Sequence, residues 1–229
     1  CYSGVADIFR LPKFSLSFFR TQIAEGSMLP SGKMPYEVFI PAYRDEILSD
    51  TVMVYGNVDE VELVLNGKTI RRQTADKGPD SDYISVPNGG NGKNLHFPPF
   101  TFYGVPKERG VLKAVGYHQG KKVAEYTVKT PGVPERLDIT YFESGKPATK
   151  NDLLIVYVRM LDKQGVLCPV NGIPVELSVQ GGEIVGPTSY PLEAGVASFL
   201  VRTGEISKIN INATGKGFST RKSLKVGKE

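Results

Sequence analysis

Glu60 and Glu62 are the carboxylates whose spacing could do acid–base chemistry. Residues two apart on a strand share a face, and strand rise sets them about 7 Å apart. At about that distance one carboxyl group can deliver a proton while the other activates a water. Their neighbours argue for something plainer. Lys68, Arg71 and Arg72 follow closely, and a stripe of mixed charge on a short strand is first of all a solvated face. Asp76, Asp80 and Asp82 offer oxygen ligands for calcium, but their spacing fits no defined calcium loop. His96 and His118 are the two histidines. Neither has Cys, His or a carboxylate at metal-ligand spacing, and no serine motif supports a catalytic triad. Cys1 and Cys168 are too far apart in sequence to suggest a disulfide framework, and Cys168, just before Pro169, reads as a small buried apolar residue. The basic run from Lys216 to Lys228 alternates with Phe218, Leu224 and Val226, the pattern of a last strand with one wet face. No catalytic residue, cofactor-binding residue or metal ligand is assigned on these grounds, and no cofactor is called for.

The elements that carry these residues are strands. The best-marked runs from Asp59 to Gln73, where Val61, Leu63 and Leu65 alternate with charges and then meet Asn66-Gly67. That dipeptide suits a two-residue type I′ turn, because both central residues need positive φ. The turn fixes the register: Leu65 faces Lys68, Leu63 faces Ile70, Glu62 faces Arg71 as an exposed pair and Val61 faces Arg72. A hairpin alone is marginal in water and needs a sheet around it. Val111 to His118 and Lys121 to Lys129 make a second hairpin about Gln119-Gly120. Thr51 to Tyr55, Leu95 to Phe97 and Phe100 to Tyr103 read as further strands. Between them the polar stretch Thr74 to Asn94 is long enough for a functional loop.

Two stretches break the β pattern. Leu11, Phe14 and Phe18 recur at helical spacing with Phe19 beside them, so Lys13 to Gln22 reads as a short helix whose aromatic face must pack on something. Glu25 to Pro35 is rich in Gly, Ser and Pro and reads as a linker. Thr130-Pro131-Gly132-Val133-Pro134 marks a second boundary. Beyond it come seven more expected strands, and Leu154, Val156, Val158 and Met160 form the core face of the longest. The division expected is 1–35, 36–130 and 131–229. With 229 residues, 25 Gly, 16 Pro and a net charge of +4 spread along the chain, the composition is that of globular β domains. The charge is too dilute to argue for nucleic acid, and no apolar run approaches the roughly 18 residues of a membrane span.

Three stretches in order resemble one family. Ser3 to Phe14, running on to Phe18-Phe19-Arg20-Thr21-Gln22, resembles the end of the catalytic barrel of glycoside hydrolase family 2. Val54 to Gly67, Pro98-Pro99-Phe100-Thr101-Phe102 and Gly110 to Tyr117 resemble the sandwich that follows that barrel in bacterial β-galactosidase-like members. Asp162-Lys163-Gln164-Gly165 and Ala194-Gly195-Val196-Ala197-Ser198 resemble invasin-type immunoglobulin-like domains. The resemblance implies an all-β chain: two immunoglobulin-like sandwiches in tandem, after a short helix left from a (β/α)8 barrel. It implies that the two catalytic glutamates lie upstream, on the barrel of the same polypeptide, and that this segment braces the barrel of a retaining enzyme. On this reading Phe14, Phe18 and Phe19 fold back on the first sandwich or pair between chains. Carbohydrate and a second copy of the chain remain open as partners. A polysaccharide-binding module and an adhesin-like spacer remain the alternatives. A periplasmic or extracellular location follows from the resemblance alone.

Overall fold

The structure, a computed structural model, describes residues 4–42, 49–76, 95–142 and 147–227. It divides into two units, Cys1–Thr130 and Pro131–Glu229. The first holds the helix α1 (Phe14–Thr21), then β1 (Met28–Leu29), β2 (Gly32–Lys33), β3 (Val38–Phe39), β4 (Val52–Gly56), β5 (Glu60–Leu65), β6 (Lys68–Thr74), β7 (Phe100–Phe102), β8 (Val111–His118) and β9 (Lys121–Lys129). Its two larger sheets run β3-β4-β7 and β6-β5-β8-β9, with β1-β2 as a separate small hairpin. The sequence pattern explains the core directly. Val52 and Val54 of β4, Val61, Leu63 and Leu65 of β5, and Leu112 and Ala114 of β8 alternate with more exposed residues and are buried, together with Phe100 and Phe102.

The β5–β6 hairpin turns at Asn66 (φ 51°) and Gly67 (φ 81°), as the type I′ turn demands. Its register differs from the one expected from the turn. Leu65 opposes Lys68 and Val64 opposes Thr69, but Ile70 is an extra residue, so Leu63 faces Arg71, Glu62 faces Arg72 and Val61 faces Gln73. The reason lies in Arg72. Regular pairing would set its guanidinium on the core face beside Val61. The bulge moves Arg72 to the wet face and turns Gln73 inward, where its side-chain nitrogen donates to the Thr101 carbonyl at 2.9 Å. Residues Leu95 to Phe97 form bends rather than a strand. Of the polar stretch Thr74 to Asn94, Thr74 ends β6 and residues 77–94 lie outside the described residues.

The second unit holds β10 (Arg136–Tyr141), β11 (Leu153–Leu161), β12 (Pro174–Gln180), β13 (Gly182–Ile184), β14 (Ser189–Pro191), β15 (Val196–Thr203), β16 (Lys208–Gly215) and β17 (Phe218–Lys225). They form sheets β10-β11-β15-β13 and β14-β12-β16-β17, all pairs antiparallel. Val156, Val158 and Met160 of β11 and Phe199 of β15 share one core with Ile209 and Ile211 of β16 in the other sheet. The strand β14 was not expected from sequence, being three residues with prolines beside it.

Asp162, in the turn after β11, is 2% exposed. Its carboxylate accepts from the backbone N–H of Gly132 at 2.7 Å and of Val166 at 2.8 Å. Burial opposes its charge, but backbone donors from Gly132, Val166, Gln164 and Gly165 outweigh burial and hold the carboxyl below the usual aspartate range. A carboxyl depressed in the folded state stabilises above its unfolded pKa, and that stability is lost as pH falls through the folded value. We therefore expect the melting temperature of the second unit to fall as pH drops from about 4. Asp162→Asn should be less stable at pH 7 and flatter across that acid window. Parallel melting curves for the two proteins from pH 7 to 2 would contradict this.

Candidate functional site

The charged candidates gather on the outer face of β6-β5-β8 and neutralise one another. Glu60 pairs with Arg72, whose guanidinium carbon sits 3.7 Å from the centroid of the Tyr117 ring. Glu62 accepts from the Thr69 hydroxyl at 2.6 Å and the Tyr117 hydroxyl at 2.7 Å. Those two bonds, with Arg72 nearby, hold the Glu62 carboxyl below its usual range, while the bond to Glu62 raises the Tyr117 phenol. A general acid needs a carboxyl raised by an apolar pocket; Glu62 is moved the other way. The expected Glu62–Arg71 pair is replaced by Glu60–Arg72, a consequence of the bulge at Ile70.

The other candidates hold turns. Asp76 accepts from the Thr101 backbone N–H at 3.2 Å and from its hydroxyl; Asp80 and Asp82 lie outside the described residues. His118 meets Asp59 at 3.1 Å and stacks on Tyr36. Asp59 also accepts from the Gln119 backbone N–H at 2.8 Å, the bond that chiefly lowers its carboxyl, so the group caps the β8–β9 turn. His96 packs edge-on to Phe97. Cys168 is buried, its thiol pushed up by burial first and by Asp162 second. Cys1 lies outside the described residues. Among the described residues no group of His, Cys, Asp and Glu is placed to hold a metal ion.

A different surface emerges from the amino-terminal strap, residues 4–35. The helix α1 lies against the first sheet. Phe14 meets Phe39 edge-on at 5.6 Å and Phe18 meets Tyr55 at 5.0 Å. Residues four apart share a helix face, so both rings point inward, and each such pair contributes about 0.5–1.5 kcal/mol beyond burial. Tyr55 is available because β4 turns Val52 and Val54 to the core and Met53 and Tyr55 outward. The stretch read as a linker, Glu25 to Pro35, is instead the β1–β2 hairpin, with Met34 1% exposed.

Polar clamps fix this strap. Arg20 pairs with Glu37, and that bond raises the Arg20 guanidinium further. The Gln22 amide bonds the backbone of Phe97 twice, donating to its carbonyl at 3.0 Å and accepting from its N–H at 3.1 Å. Asn57, 3% exposed, donates to the carbonyls of Ile23 at 2.9 Å and Pro35 at 3.0 Å and accepts from the Glu37 N–H at 2.6 Å. Sequence reasoning missed these clamps. The one available signal was Asn57 between Gly56 and Val58, a polar residue at the start of the best-marked hairpin.

What the strap leaves outside is apolar. Ile8 is 82% exposed, Met28 74% and Phe19 56%, with Val5 also exposed; Phe14, turned onto Phe39, keeps part of its surface open. Ile8 stands at the tip of a tight loop closed by Asp7, whose carboxylate accepts from the N–H groups of Phe9 at 2.9 Å and Leu11 at 2.8 Å. Five of the eleven exposed large apolar residues among those described thus fall within residues 5–28.

Comparison with known proteins places the segment. A family described as a domain of unknown function, DUF4982, matches residues 49–124. A β-galactosidase of Thermoanaerobacter pseudethanolicus is 32% identical over 215 residues, which are 89% of this chain and 27% of the relative. A β-galactosidase of Rhizobium radiobacter is 30% identical over 129 residues, 56% of this chain and 92% of the relative. The solved structure of a β-glucuronidase from glycoside hydrolase family 2 matches 99% of this chain and 23% of its own, with a TM-score of 0.77 and 22% identity, which speaks for the fold. The chain thus spans about a quarter of the length of the T. pseudethanolicus relative.

Proposed function

Because the chain belongs to glycoside hydrolase family 2, as part of the C-terminal region of its β-galactosidase-like members, we propose that it is a non-catalytic brace of a retaining β-galactosidase-like enzyme. Two sandwiches stiffen this region of the polypeptide, and the amino-terminal strap seats them against the catalytic barrel. The observation that carries this is the two-sided strap. Phe14 and Phe18 grip the first sheet while Ile8, Phe19 and Met28 face outward as an apolar contact. Burying those three side chains is worth several kcal/mol, at about 1.5–3 kcal/mol for each large apolar side chain.

The chemistry of the charged residues supports a brace rather than a catalyst. A retaining glycosidase sets two carboxyl groups about 5–5.5 Å apart, with the acid raised. Glu60 and Glu62, the nearest approach to that arrangement, are committed to Arg72, Thr69 and Tyr117. The same proposal has the parent enzyme act on β-galactosides or related sugars outside the cytoplasm, in the periplasm or beyond the cell. It gives the segment 74–94 a part in the cleft rim or in a contact between copies. We expect the pure chain to hydrolyse neither a chromogenic galactoside nor a chromogenic glucuronide above the buffer rate. Turnover that tracks the protein through two purification steps would overturn the assignment.

A further inference from the structure

Thr130 to Pro134 has the composition of a linker, with two prolines and a glycine at the boundary of the two units. Its hydrogen bonds are those of a held segment. Thr130 carries the β8–β9 ladder one pair beyond Val111 and Lys129: its N–H donates to the Gly110 carbonyl at 2.8 Å, and its hydroxyl accepts from the Gly110 N–H at 3.0 Å. Gly110 is itself fixed from the far side. The Asn66 amide occupies the place of a Cβ there, its Oδ1 lying 1.9 Å from where that atom would sit. The same amide accepts from the Val111 N–H at 2.8 Å and donates to the Arg109 carbonyl at 3.1 Å. The turn residue of the β5–β6 hairpin thus holds the backbone on which Thr130 pairs.

Two residues on, the second unit takes hold. The Gly132 N–H donates to the Asp162 carboxylate at 2.7 Å, and the Gly132 carbonyl accepts weakly from the Cys168 thiol at 3.7 Å. Asp162 is buried, so turning its carboxylate away from Gly132 would forfeit one of the few donors that offset its lost hydration. The Glu135 N–H then donates to the Leu161 carbonyl at 2.9 Å, and β10 begins its ladder with β11. Between these points stand the prolines, and Pro131 is buried. Each proline ring fixes its own φ and confines the residue before it to extended backbone. Few conformations of Thr130 to Pro134 remain even before the bonds form. Each bond named lies within one unit or the other.

We propose that residues 130–135 form a clamped connector, fixed at Thr130 from the first unit and at Gly132 from the second, with the Asp162 carboxylate as the catch that must open before the segment can move. A free linker of this composition would leave its N–H groups to water; here those of Thr130, Gly132 and Glu135 have protein acceptors. The two clamps share no residue, so each opens on its own. The inference holds whether or not the chain braces a barrel, since it needs neither barrel nor ligand.

Residue-resolved amide exchange and backbone relaxation on the whole chain test this. The Gly132 amide, which lies outside any strand, should exchange about 100-fold or more slowly than in an unstructured peptide. Order parameters at Gly132 and Val133 should stand near about 0.85, against less than about 0.6 for a flexible segment. Asp162→Asn, which keeps the shape but weakens the acceptor, should speed exchange at Gly132 about tenfold relative to Thr130. Asn66→Ala should shift the ratio the other way by a similar factor. Exchange of Gly132 at the free-peptide rate in the parent chain would overturn the proposal. So would order parameters below about 0.6 at Gly132 and Val133, or a folded Asp162→Asn with the parent's ratio. Should Asp162→Asn fail to fold, the two parent-chain measurements decide alone.

Discussion

Replacing Asn57 by alanine is expected to cost the first unit about 3 kcal/mol, because three hydrogen bonds to backbone groups are lost at a residue only 3% exposed. The effect should be local as well as global. The carbonyls of Ile23 and Pro35 and the N–H of Glu37 belong to the strap and its exit into β3, so the amides from Ile23 to Glu37 should exchange faster than those of β5 and β8. Exposed polar substitutions away from such features usually fall within about 0.5 kcal/mol, which makes Lys121→Gln, at an exposed position, a fitting comparison. A urea midpoint for Asn57→Ala equal to that of the parent chain, with unchanged exchange over residues 23–37, would show that the clamp is not holding the strap.

The second large effect is expected at Gly195. Ala194 (φ 46°) and Gly195 (φ 83°) form the tight turn before β15. A Cβ added at Gly195 would sit 2.1 Å from the carbonyl oxygen of Cys168 and 3.2 Å from a methyl of Leu167. The backbone there is fixed on both sides: the Gly195 N–H donates to Val170 and its carbonyl accepts from Met160, each at 2.8 Å. Left-handed backbone costs an L-residue roughly 1–2 kcal/mol, and the clash with backbone adds to it, so Gly195→Ala should destabilise the second unit by about 4 kcal/mol. Gly217 offers the control, with φ 81° in the β16–β17 turn and open space where a Cβ would go. Gly217→Ala should cost only the backbone term, about 1–2 kcal/mol. Equal melting temperatures for the two variants would remove the steric argument.

These two positions also show what was legible in the sequence. The turns were, because Asn66-Gly67 and Gln119-Gly120 announce positive φ locally and the flanking alternation confirms which face is buried. The core face of β11 was legible for the same reason. The bulge at Ile70 was not: regular pairing sets Arg72 opposite Val61, but the local pattern does not say that the strand takes up an extra residue to relieve this. Nor was the ordered strap. A glycine- and proline-rich stretch reads as linker until its partners are known, and those partners are distant: Asn57 is 34 residues from Ile23, and Gln22 is 75 from Phe97. The charged residues were legible in type but not in role. Glu62 carries the right chemistry for catalysis and the wrong surroundings, with two hydroxyl donors that lower its carboxyl where an acid needs it raised. Asp162 is, among the described residues, the one buried carboxylate, and nothing in its local sequence told of the backbone donors that hold it.

The proposed brace requires the outer side of the strap to dock on the barrel of the same polypeptide. Hydrogen–deuterium exchange tests it most directly, comparing this chain alone with the full-length enzyme over residues 5–28. The amides of α1 and of the loop bearing Ile8 should exchange about tenfold or more slowly in the full-length enzyme, while β5 and β8 are unchanged. Identical exchange over residues 5–28 in the two proteins would contradict it.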